Sequence, residues 1–362
     1  MNMNQSITNR QIAFILFGEI VGYGILGLPK GIAEEYGTGA WIGIIIGTII
    51  AIIFTYIITY LGYENHGKTL YEYSEELVGK TITYIFVIFY IVYLFMFFTY
   101  AIRIASEVIR LTILINTPSI ALSIIFYIVT YYALVKGLRG IARLCEFYGV
   151  LIIVGYIFIF FLISTRGNII NIRPIFGTGE IKQYLKFPLA TILPFLGIEI
   201  LTFIPFNKKK NKNVYKYTTL MIAFIGLLYI IEVQACISVM GIDDIVHYWD
   251  ALIATVRRVD IVWLEFLERL DGLFLSLWIM SIFCTVTIMG YGTVFFTNKI
   301  FKKINYNFLA FIIMLISLIV SQLPKTFDQI QYLLDLSSYL GLIPIIIIPL
   351  ILLIVMKVKK NN

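Results

Sequence analysis

The feature that most restricts this chain is a succession of apolar stretches, each about as long as a membrane-crossing helix of roughly 20 residues. They fall at roughly 10–36, 38–62, 81–111, 118–137, 139–164, 185–206, 214–240, 264–296, 307–323 and 337–356. About ten spans fill the chain from start to finish. Of the 362 residues, 60% are hydrophobic and 14% charged, against roughly 45–50% and 25% in soluble domains. A water-soluble fold of this length must turn a polar surface outward and has too little polar material here to do so. Hydrocarbon as solvent removes the conflict. The reading is an all-α integral membrane protein, one transporter-like domain over 1–362 with no soluble enzyme domain.

The formal charge of +7 is concentrated between spans, above all at Lys208, Lys209, Lys210, Lys212 and Lys216. Counting outward from a cytoplasmic N-terminus, 17 Lys and Arg fall on inside segments and 11 on or toward the outside, so both termini are expected inside. The basic run therefore orients the chain, and no interleaved aromatic face suggests nucleic acid. Cys145, Cys236 and Cys284 lie in or beside apolar spans and read as small buried hydrophobes. His66 and His247 fall in different loops, so no metal centre is expected. The short polar N-terminus runs into its apolar stretch without a small-residue cleavage site, so it reads as a span rather than a cleaved signal.

Gly22-Tyr23-Gly24-Ile25-Leu26-Gly27 spells the dinucleotide fingerprint GxGxxG, but it lies inside an apolar span with no preceding strand. Its tight glycine spacing with Pro29 beyond predicts an unwound segment in the first span. The competing reading is close helix packing, as expected of Gly39, Gly43 and Gly47 in the second. The sixth span carries Pro194-Phe195-Leu196-Gly197, flanked by Pro188 and Pro205. Breakers at matching places in two halves mark a binding site in inverted-repeat transporters. Five spans per half is odd, so the halves, about 10–164 and 185–356, must be inverted. A broken first helix would aim N–H groups at an anion such as a carboxylate, and the sixth would offer carbonyls to an ammonium. Buried carboxylates are candidates for coupling or relay: Glu19 one turn before the first break, Glu199 just after the second, and Glu232 in the seventh span. Arg103, Glu107 and Arg110 read as an ion-paired helix face.

An ordered set of motifs then carries a resemblance over nearly the whole chain. It comprises Gly22-Tyr-Gly-Ile-Leu-Gly-Leu-Pro29 with Gly39-Ala-Trp41, then Leu70-Tyr-Glu-Tyr73 with Val78-Gly79-Lys80, and Arg173-Pro174. Phe195-Leu-Gly-Ile-Glu199 with the lysine run, Glu268-Arg269-Leu-Asp271 with Trp278, and Tyr339-Leu-Gly341 complete it. The chain resembles the spore germination permease family, the B-type membrane subunits of germinant receptors in endospore-forming bacteria. That family belongs to the amino acid–polyamine–organocation transporter superfamily. The resemblance implies ten helices in two inverted five-helix repeats with helices 1 and 6 broken. It implies nutrient sensing, with L-amino acids as the ligand class, in the inner membrane of the spore beside an A-type membrane subunit and a C-type lipoprotein. Carried over by position, the pocket takes Gly22, Tyr23, Gly24 and Ile25 from span 1 and Phe195, Leu196, Gly197 and Glu199 from span 6. Span 3 adds Tyr93, Phe97 and Ala101, and span 8 adds Phe283 and Thr285.

Three functions are compatible with these residues: a germinant-sensing subunit, a proton- or ion-coupled amino-acid transporter working through Glu19 or Glu199, and a scaffold subunit with a vestigial site. An enzyme is the weakest reading, because no paired nucleophile and base, metal cluster or cofactor motif is present.

Overall fold

Long apolar stretches with few breakers form helices because lipid leaves backbone groups no other partners. The computed structural model describes residues 7–177, 189–259 and 270–361, and among these no strand occurs. Helix α1 spans Asn9–Tyr36, and Thr8 and Gln11 close a capping box at its start. Helix α2 spans Ala40–Glu64, the short α3 Leu70–Val78 and α4 Lys80–Thr112. Helix α5, Ser119–Thr165, is interrupted at Gly137, whose φ of +71° is what divides the expected fourth and fifth spans. The sixth segment is a four-residue α6, Leu189–Ile192, followed by 3₁₀ turns at Leu193–Phe195 and Ile198–Phe203.

Helix α7 spans Val214–Met240, as expected, and the short α8 and α9 cover Ile242–Ile245 and Ala251–Arg257. Helix α10 is Leu270–Ile300, α11 Tyr306–Ser321 and α12 Phe327–Leu342. A π-helical turn at Ile343–Ile347, carrying Pro344, leads into α13, Ile348–Asn361. Among the described residues six stretches are long and apolar enough to cross a membrane, and their outer faces are apolar, with Ile49, Ile53, Phe147, Val154, Phe161 and Ile354 exposed. That surface suits lipid.

The final span begins earlier than expected, at Phe327 rather than 337. Asp328, Gln329, Gln331 and Asp335 dilute the apolar signal, yet Ile330, Leu334, Ser337, Ser338 and Gly341 keep one helical face buried. Pro188, Lys182, Lys186, Glu268 and Arg269 lie outside the described residues.

Helix α1 occupies the centre, packed against α5, α7 and α10, while α4 packs on α10 and α12. Here the sequence expectation fails: α1 is helical without interruption through Gly22, Tyr23, Gly24 and Pro29. The glycines serve close packing instead. A Cβ on Gly22 would stand 2.2 Å from Thr285 Oγ1, and one on Gly24 would stand 2.5 Å from the Tyr229 hydroxyl oxygen. Gly47 on α2 admits the Thr191 carbonyl in the same way, at 2.2 Å. Gly27 faces open space.

These contacts set an expected order of tolerance, readable as thermal melting of the purified protein in detergent. Gly22→Ala and Gly47→Ala are each expected to lose about 1–3 kcal/mol through overpacking. Gly27→Ala should be neutral or gain up to about 1 kcal/mol of helix propensity. Equal tolerance at positions 22 and 27 would contradict the close-packed α1.

Candidate functional site

The sixth segment breaks because Pro194 supplies no backbone N–H and Gly197 sits at φ +119°, where other residues are strained. Leu196 is extended before it, and the chain resumes as 3₁₀ helix before turning extended again at Ile204. Backbone groups freed inside a membrane domain each require a partner. Glu199 provides one: its Oε2 accepts the Gly197 N–H at 2.8 Å. Its Oε1 accepts the Tyr93 hydroxyl at 2.7 Å, and the Thr202 hydroxyl donates to the Glu199 carbonyl at 2.6 Å. Tyr229 on α7 places its hydroxyl 3.1 Å from both the Pro194 and Ile20 carbonyl oxygens, joining the break to α1.

The facing side of α1 is dense with side-chain donors. The Thr285 hydroxyl lies 2.9 Å from the carbonyls of both Gly18 and Glu19, and the Trp278 indole N–H donates to the Gly22 carbonyl at 2.9 Å. With Tyr229 at Ile20, four carbonyls within one and a half turns of α1 have a polar side chain at hand. Pro29 also leaves the Ile25 carbonyl without the N–H it would receive four residues on.

Glu19 points at the break. A Cβ on Gly197 would stand 2.5 Å from Glu19 Cγ, so glycine is needed there for space as well as for φ. Glu19 is buried, and neither carboxyl oxygen has a hydrogen-bond partner. It lies within electrostatic reach of Glu199. Two carboxyl groups thus converge on one glycine. Beyond them the Phe97 ring meets Tyr93 at 6.0 Å and Tyr23 edge-on at 5.6 Å between centroids. The Tyr23 hydroxyl accepts from Gln331 Nε2 at 3.0 Å, and the same amide donates to Asp335 at 3.0 Å. Gly341 on α12 closes against Tyr93 and Leu196.

The structure therefore brings together Glu19, Tyr23, Gly24, Tyr93, Phe97, Leu196, Gly197 and Glu199, with Thr285 meeting α1 at the Gly18 and Glu19 carbonyls. Phe195 packs its ring on Tyr229 at 5.5 Å, and Ile25 and Ala101 are buried. Phe283 departs from the expectation. It meets Tyr148 at 6.5 Å and lines an apolar groove of about 310 Å³ with Leu122, Phe126 and Met280. Two residues along a helix is about 200°, so Phe283 and Thr285 cannot share a face.

Glu232, fully buried on α7 with both oxygens unpartnered, neighbours Tyr156 and Tyr229. Tyr229, Gln331 and Asp335 are site residues that the sequence does not single out; one tyrosine among 25 carries no signal of its own. Arg103, Glu107 and Arg110 do form the expected ion-paired face, at 2.9 and 2.7 Å. Among the described residues no cluster of His, Cys, Asp and Glu suits a metal ion.

Spore germination protein YndE of Bacillus subtilis (strain 168) is 28% identical over 358 residues, covering 98% of both chains. Spore germination protein KB of the same organism is 27% identical, over 98% of this chain and 96% of its own. Among solved structures, a Na+-coupled sialic acid symporter aligns with TM-score 0.65 at 13% identity, over 94% of this chain and 79% of its own. MhsT in complex with L-phenylalanine aligns at 0.63 and 14% identity, over 92% and 88%. These neighbours establish the fold, that of membrane transporters built from inverted repeats, and the chain is a multi-pass membrane protein. The family described as spore germination protein matches residues 6–330, and the chain belongs to it.

Proposed function

We propose that this chain is the nutrient-sensing membrane subunit of a germinant receptor, binding an amino acid where the broken sixth segment meets α1. The observation that carries the reading is the convergence of the Glu19 and Glu199 side chains on Gly197, with Tyr93 hydrogen-bonded to Glu199 and packed against the Phe97 ring. An unpaired carboxylate in a low-dielectric interior costs several kcal/mol, so the pair asks for a proton or a cation. A ligand ammonium meets that need, with the Pro194 carbonyl as a further acceptor. No cationic side chain accompanies the pair among the residues named at this site. The ligand carboxylate therefore falls to backbone N–H groups, which α1 releases only on opening at Gly22–Gly24.

Glu19, Tyr93, Phe97, Leu196 and Glu199 are buried, so a ligand that reaches the carboxyl pair requires a second, more open state. A ligand that favours one of the two states shifts the balance, and that shift is the signal. The readers of the signal are an A-type membrane subunit and a C-type lipoprotein, in the inner membrane of the spore with both termini cytoplasmic. A proton- or ion-coupled amino-acid transporter is the second reading, favoured by the likeness to symporters and by the unpartnered carboxyls of Glu19 and Glu232.

Spores carrying Glu19→Gln or Glu199→Gln, at unchanged protein level, are expected to need at least about tenfold more amino acid for half-maximal germination. One charged hydrogen bond is worth about 1.5–3 kcal/mol. An unchanged concentration dependence would sink the assignment. Replacing Gly24 by leucine, against a Tyr229 oxygen already in contact, is expected to abolish the response. For the second reading, proteoliposomes of the chain alone that concentrate labelled amino acid against a gradient would establish transport. A pure sensor should bind without accumulating.

A further inference from the structure

At the basic end of the bundle, remote from the carboxyl pair, two grooves flank Arg10. The first, about 490 Å³, lies between the start of α1 and the start of α7. Phe14, Leu220, Met221 and Phe224 form its walls, and Arg10, Asn213 and Lys216 stand at its mouth. The second, about 380 Å³, runs along the other side of Arg10 beside Arg143, Phe147, Val150 and Leu151 of α5. Wall residues open outward: Leu220 is 57% exposed and Phe147 65%. In a membrane domain such surfaces face acyl chains.

The polar end of the first groove is built for a negative charge. Arg10 spends its Nε on Glu146 at 3.0 Å and lies over the Phe14 ring at 5.6 Å, contacts that leave the four N–H groups on its terminal nitrogens uncommitted to Glu146. Lys216 adds an exposed ammonium. Helix α7 starts at Val214 with no side-chain cap; the Val214 N–H is taken by the Asn211 carbonyl at 3.0 Å, and the positive dipole end of the helix lies at the same mouth, beside Asn213 and Lys216. Glu146, the one carboxylate among the described residues that line the two grooves, is already paired with Arg10.

We infer that the groove between α1 and α7 is a binding site for an anionic phospholipid, its phosphate held by Arg10, Lys216 and the start of α7 and an acyl chain lying on Phe14, Leu220 and Phe224. Basic residues above an apolar interhelical cleft are the chemistry that anionic lipid headgroups select. A lipid seated there touches the first turns of α1, the helix that also carries Glu19. It is thus placed to favour one position of α1 over another.

The test uses the full chain purified in neutral detergent, titrated with phosphatidylglycerol or phosphatidylcholine, with retained lipid counted by native mass spectrometry. Phosphatidylglycerol should be retained in preference. Arg10→Gln with Lys216→Gln should raise its half-saturating concentration at least about fivefold. Lys208→Gln with Lys209→Gln, exposed in the neighbouring loop, should move it less than about twofold. Met221→Trp, which fills the groove and keeps its charges, should also lower retention, and inorganic phosphate should not displace the lipid. Equal retention of the two lipids would overturn the inference. So would parent-like binding by the Arg10/Lys216 variant, an equal shift in the loop variant, or displacement by phosphate alone.

Discussion

Everything at the candidate site depends on how a broken backbone is satisfied where water is scarce. The segment 193–203 gives up α-helical bonding at Pro194 and Gly197, and each orphaned group there would cost several kcal/mol in hydrocarbon. Glu199 answers with one carboxylate, taking the Gly197 N–H on one oxygen and the Tyr93 hydroxyl on the other. Tyr229 answers from α7 by meeting the Pro194 and Ile20 carbonyls together. These bonds decide where α4, α7 and α1 sit relative to the break, and so where Glu19 is held. The break is a structural joint as well as the proposed binding surface.

The state of α1 gives this joint its use. The helix is intact, yet Thr285, Tyr229 and Trp278 already stand at the carbonyls of residues 18 to 20 and 22. Opening α1 near Gly22 would leave three side-chain donor hydrogens standing at those four carbonyls and would free backbone N–H groups. Moving a two-state balance from 1:99 to 99:1 takes about 5.5 kcal/mol of differential binding. Two charged hydrogen bonds made in only one state, at about 1.5–3 kcal/mol each, reach that scale. A sensor and a transporter can share this machinery and differ only in the event that the shift drives: a signal to partners, or release on the far side.

The spans are legible because a 20-residue apolar run in lipid has one solution, and α7 begins and ends where the sequence indicates. The break at Pro194–Gly197 is legible because a missing N–H and a positive φ are properties of those residues themselves. The glycines of α1 mislead for a physical reason. Two glycines one residue apart permit either unwinding or close approach, and what decides between them arrives from elsewhere in the chain, as Tyr229, Ser281 and Thr285. Phe283 misleads because an all-round apolar helix such as α10 does not reveal which face turns inward. Tyr229 and Gln331 cannot be found from sequence, since their roles arise only when distant helices meet.

The central claim is that the occupant lies between α1 and the break, on the carboxyl pair. It is tested most directly by an electron cryomicroscopy structure of the chain with a germinant amino acid bound. Ligand density is expected to touch Gly197, with the ammonium within hydrogen-bond distance of Glu19 or Glu199 and α1 opened at Gly22–Gly24. Density elsewhere, for instance in the groove beside Phe283, with α1 and the carboxyl pair unchanged, would contradict it.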